Sequence, residues 1–160
     1  MENGTDSKRF CVGGGCLKKV LVIGASSELA SKVLPVLVKD ECMVGMHYGS
    51  NQASVECYEC QDNVKLIQRI ITDENDCKNI VEEYVSWAKG IDGIVIFLGN
   101  ISSTCHWSEV GTEQLTNEYL YNAVYPFLLA KYAQKFMQEN EGGRILFVST
   151  ASVRRGGGSA

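Results

Sequence analysis

The sequence has no apolar run approaching the ~18 residues that a membrane-spanning helix needs. Its opening, Met1 to Arg9, is polar and holds none of the apolar stretch of a secretory signal. Neither sign of charge is in large excess. A net charge of −4 gives no electrostatic reason to expect nucleic acid or an anionic membrane as partner. There is no internal repeat and no low-complexity linker, so the 160 residues are expected to form one domain, large enough for a real core. Seven cysteines cannot all pair with one another, and without a secretion signal a cytoplasmic address with reduced thiols is expected. Cys57-Tyr58-Glu59-Cys60 has the form of half a zinc site or a redox pair, but it falls in a predicted helix, so no metal site is expected.

What is present is organised around Lys19-Val20-Leu21-Val22-Ile23-Gly24-Ala25-Ser26-Ser27-Glu28-Leu29-Ala30. The β-branched run reads as a buried parallel strand. It ends at Gly24, small polar residues follow, and helical spacing begins at Leu29. A strand feeding a helix through a tight turn leaves free amides at the helix start, which suits a phosphate. The glycine pattern is incomplete: Glu28 and Ala30 stand where the full motif would have glycine.

The rest of the chain repeats this rhythm. Residues 1–17 read as a leader and 18–160 as the domain. Strands are expected over 19–24, 42–48, 64–71, 91–98 and 144–150, with helices over 27–39, 51–60, 73–89 and 112–141. Leu29, Val33, Leu34 and Leu37 are assigned to the inner face of the first helix, and Leu115, Tyr119, Ala123, Phe127 and Leu128 to that of the last. Five strands alternating with four helices imply an α/β parallel sheet with helices on both faces and a ligand crevice at the strand carboxyl ends.

Five segments, in order, resemble the short-chain dehydrogenase/reductase family. Val22 to Ala30 is similar to its phosphate loop, and His47-Tyr48-Gly49-Ser50-Asn51 to the end of its second strand. Asp92 to Gly99 falls on D-x-L-V-N-N-A-G, Leu120 to Leu129 on V-N-x-x-G-P-F-L-L, and Gly143 to Thr150 on G-R-I-V-N-I-S-S. The resemblance implies a three-layer Rossmann fold with strand order 3-2-1-4-5, here incomplete at its C-terminus. It implies hydride transfer between a nicotinamide and an alcohol or carbonyl substrate, and a homo-oligomer when complete. Cofactor contacts are carried over to Gly24, Ser26, Ser27, Leu29, Tyr48 and Gly99, and catalytic roles to Asn122 and Thr150. With Tyr48 in place of the acidic residue that marks NAD preference, the cofactor is expected to be NADP or NAD, with a lean to NADP.

The family's catalytic tyrosine lies about thirteen residues after its serine, with a lysine four residues further on. None of the seven tyrosines here has that lysine, and the spacing from Thr150 overshoots Ala160. The chain is therefore expected to be an inactive piece of a longer reductase. The alternative is a non-catalytic dinucleotide-binding or interaction protein, motivated by Glu28, Ile70 and Ile96, which depart from the family pattern. A receiver or FMN module shares the strand–helix rhythm, but the acidic cluster and Ser/Thr phosphate loop it needs are missing.

Overall fold

The computed structural model describes residues 19–39, 42–99, 107–139 and 142–149. The expected leader and Thr150 lie outside them. The strands are β1 (Lys19–Ile23), β2 (Met43–Tyr48), β3 (Val64–Gln68), β4 (Gly93–Ile96) and β5 (Arg144–Phe147). The helices are α1 (Glu28–Lys39), α2 (Glu74–Ala88), α3 (Thr112–Tyr119) and α4 (Tyr125–Glu139). All strands are parallel, in the order β3-β2-β1-β4-β5. Both fold class and strand order are as the family resemblance implied.

The strand period of two sorts the core into two layers. Val20 and Val22 of β1, with Val44 and Met46 of β2, pack under Ala30, Leu34 and Leu37 of α1. Leu21 and Ile23, with Ile94 and Ile96 of β4, face the opposite way, onto Ile80, Val81 and Tyr84 of α2 and Leu129 and Ala133 of α4. Tyr84 is fully buried. It lies over Gly45, where any Cβ would collide with its ring, and its hydroxyl donates to the Met43 carbonyl at 2.8 Å. Burial pushes the Tyr84 phenol far up, so it stays a neutral donor.

Helix α2 begins where its sequence says it should. The Asp73 carboxylate accepts from the Asp76 N–H at 3.0 Å, and Lys89 closes the helix in the left-handed conformation. Three expectations need correction. Leu29 is 63% exposed rather than inward: α1 docks through Ala30, Leu34 and Leu37. Residues 51–60 form turns and one 3-10 segment, Glu56–Tyr58, rather than a helix. The long last helix is broken by a π turn, Leu120–Val124, and buries Tyr125, Pro126, Leu129, Ala130, Ala133 and Met137, while Leu115, Tyr119 and Phe127 face solvent.

The π turn has a local cause. A proline ring crowds the carbonyl four residues earlier, here that of Asn122, and a widened turn takes up the clash at Pro126. Pro35 sits inside α1 on its solvent side. No helix among the described residues is long and apolar enough to cross a membrane.

Candidate dinucleotide site

A cavity of about 370 Å³ opens over the carboxyl ends of β1 to β4. This is where a doubly wound sheet places its ligand. Its walls have different chemistry. Gly24, Ser26, Ser27, Gly49 and Ser50 supply a polar side, and Ile70, Ile71, Phe97 and Leu98 an apolar one. Gly24 is at φ 73°, and a Cβ there would come within 3.2 Å of the Phe97 carbonyl carbon. Glycine thus permits both the left-handed turn and the close approach of β1 to the end of β4.

The turn after β1 is wired to leave amides over. Ser27 caps α1 through its hydroxyl, which accepts from the Ala30 N–H at 3.2 Å. The Ala25 N–H goes to the His47 carbonyl and the Ser27 N–H to the Gly24 carbonyl. Among the described residues, the N–H groups of Ser26, Glu28 and Leu29 take no partner. Three unpaired donors at the positive end of a twelve-residue helix form a cradle for an anion. The Glu28 side chain is exposed and does not line the cavity.

The predicted site residues separate accordingly. Gly24, Ser26, Ser27 and Gly99 line the cavity. Leu29 is not in the lining: its side chain is exposed, and its amide is unpaired at the helix start. Tyr48 is buried in the layer under α1 and is not in the lining. Asn122 is exposed in the π turn. Its amide donates to the Glu118 carbonyl at 2.8 Å, and its Oδ1 would sit 3.2 Å from a Cβ at Gly99. Thr150 is outside the described residues.

Three residues that motif reading did not place in the site belong to it. Tyr121 lines the cavity, and its hydroxyl donates to the Ile71 carbonyl at 2.8 Å. Tyr125 stacks edge-on against it at 5.2 Å and donates to the Thr72 carbonyl at 2.7 Å. The two rings pin the loop between β3 and α2. Among the described residues, Arg69, just past the end of β3, is the charged side chain in the lining. Its Nη1 reaches Asp76 at 3.4 Å, while its buried Nε has no partner. The expected strand over 64–71 hid Arg69 inside it; β3 ends at Gln68, which leaves Arg69 one residue past the strand, at the crevice.

Asp76 is held below the usual carboxylate range, chiefly by the Thr72 N–H and hydroxyl, with Arg69 adding to this. His47 is pushed below its ordinary value, first by burial. Cys57 and Cys60 are exposed free thiols, and among the described residues no cluster of His, Cys, Asp or Glu could hold a metal.

The parallel order, the crevice over the central strands and the amide cradle define a nucleotide-binding α/β protein. The short chain dehydrogenase family profile matches residues 18–159, and the chain belongs to that family. No curated protein matches it in sequence. Its fold is similar to a short-chain dehydrogenase/reductase from Serratia marcescens, at 20% identity and TM-score 0.75 over 85% of this chain and 56% of that one. It is also similar to an NADH-dependent reductase A1-R' complexed with NAD, at 14% identity and TM-score 0.79 over 88% and 62%. ElxO with NADP bound matches at 21% identity and TM-score 0.77 over 88% and 58%. The chain thus spans 56–62% of the length of these structures.

Proposed function

We propose that the chain carries the dinucleotide-binding part, residues 18–160, of an NAD(P)-dependent oxidoreductase acting on a small alcohol or carbonyl compound. The observation that carries this reading is the cavity at the strand ends, lined by Gly24, Ser26 and Ser27, beside a helix start whose Ser26, Glu28 and Leu29 amides are unpaired. A pyrophosphate fits that cradle, and the wall of Ile70, Ile71 and Leu98 fits an adenine ring. When bound, the nicotinamide supplies or accepts the hydride. The protein's part is to hold it, to exclude water and to manage the substrate proton.

In this reading Asn122 orders a proton path beside Gly99, Thr150 holds the substrate oxygen, and the proton donor is a Tyr-x-x-x-Lys segment beyond this chain. The 160-residue chain therefore binds but does not turn over. Arg69, whose Nη1 pairs with Asp76 but whose Nε is unbonded, supports NADP over NAD. Free thiols at Cys57, Cys60 and Cys77 agree with a cytoplasmic setting. The complete protein is read as a homo-oligomer.

One observation favours a second reading, a non-catalytic dinucleotide binder: the Asn122 amide is spent on its own helix. Calorimetric titration with NADPH and NADH tests the shared ground. Binding of either, tighter for NADPH, is expected, and no binding at millimolar concentration overturns both readings. Turnover by a chain extended through the next segment, against none, then separates them.

A further inference from the structure

His47 is the last but one residue of β2 and is 3% exposed, the buried polar side chain of the described core. Its two ring nitrogens do different work. Nδ1 accepts from the Gly24 N–H at 3.4 Å, and Nε2 lies 2.9 Å from the Arg69 carbonyl, an acceptor, so the proton is on Nε2. The imidazole therefore spans the cavity floor from the phosphate-side turn to the end of β3. Backbone bonds run parallel to it on both flanks: Ala25 N–H to the His47 carbonyl at 2.8 Å, and Arg69 N–H to the Tyr48 carbonyl at 3.0 Å.

We infer that His47 is a positioning residue of the dinucleotide site, a neutral brace that fixes the distance between the Gly24–Ser27 turn and the Arg69–Ile71 wall and lets go when its ring gains a proton. The inference rests on the dinucleotide reading above. A second proton goes on Nδ1, the nitrogen that faces the Gly24 N–H. Two donors then oppose each other, the turn loses an acceptor, and a buried charge appears. The other titratable groups around the cavity are Arg69 and Tyr121, with Asp76 on α2 paired to Arg69. Burial disfavours the imidazolium first and the Arg69 charge repels it, against the hydrogen bond to the Arg69 carbonyl, so the neutral brace persists below the ordinary value of 6.5. The amides of Ser26, Glu28 and Leu29 keep their aim only while Gly24 is held. Dinucleotide affinity should therefore fall in acid even though the cofactor's pyrophosphate does not titrate there.

The test uses the 160-residue chain with NADPH as probe, from pH 8 down to pH 5. Wild type is expected to bind about tenfold more weakly at the acid end, the loss of roughly one hydrogen bond. His47→Gln keeps an acceptor and a donor and does not titrate, so its affinity should stay level across the range. His47→Leu should bind about tenfold more weakly at every pH. In the ligand-free protein, exchange of the Gly24 amide should quicken in step with titration of the His47 ring in wild type and stay constant in His47→Gln. Equal pH profiles for wild type and His47→Gln, or a Gly24 amide indifferent to the ring's titration, overturn the brace. Wild type that binds neither NADPH nor NADH at any pH overturns instead the reading on which it rests, while the amide measurement still decides whether the brace exists.

Discussion

Strands β1 and β5 are written alike, a basic residue followed by branched apolar ones (with Phe147 closing β5), yet they end in opposite surroundings. Val20, Leu21, Val22 and Ile23 are completely buried. Ile145, Leu146 and Phe147 are 38%, 56% and 52% exposed. The difference lies in the neighbours. β1 has β2 and β4 on its flanks, α1 on one face and α2 and α4 on the other, whereas among the described residues β5 pairs with β4 alone. An apolar strand pattern specifies a capacity to be covered on both faces, and the cover itself is supplied from elsewhere in the chain. Exposed apolar surface on an edge strand also invites association.

The comparison breaks most directly by truncation on each side of it. Leu21→Ala should cost about 2–5 kcal/mol in equilibrium unfolding, and Leu146→Ala no more than about 0.5 kcal/mol. Equal losses would mean that β5 is as covered as β1. A smaller effect is expected from Gly45→Ala, which puts a methyl group into the Tyr84 ring on the covered side. Overpacking of this kind costs about 1–3 kcal/mol, and Tyr84→Leu in the same chain should recover much of it by making room. The smallest effect sharpens the rim of the covered side. Asp76 has its pKa depressed on folding, so its contribution is present above the ordinary carboxylate range and is lost as pH falls through the depressed value. Asp76→Asn should therefore be less stable than wild type at pH 7 and approach it in acid; a gap that persists at low pH would rule out this linkage.

How much could be read from residues alone follows the same division. Strand β1 and the span of α2 were legible because local pattern and burial agree there. The inner face of the first helix was read rightly at Val33, Leu34 and Leu37 and wrongly at Leu29, beside which Ala30 is the smaller side chain that lets α1 approach the sheet. The last helix was read with the wrong face, because Leu115, Tyr119 and Phe127 form a good apolar stripe whose cover is absent from the described residues. In the site, Gly24, Ser26 and Ser27 were legible as a strand–turn–helix signal. Arg69, Tyr121 and the span of His47 were not, because each depends on parallel strands bringing together residues more than twenty positions apart.

The π turn at Leu120–Val124 has a consequence for how the two halves of the last helix can vary. It adds a residue to one turn, so the rotational phase of everything ahead of it is set independently of the half that grips the sheet. Tyr121 and Asn122 ride on that offset, which lets the cavity side be re-aimed by a change of register in five residues while Leu129, Ala133 and Met137 stay seated. It serves the fold as a vernier.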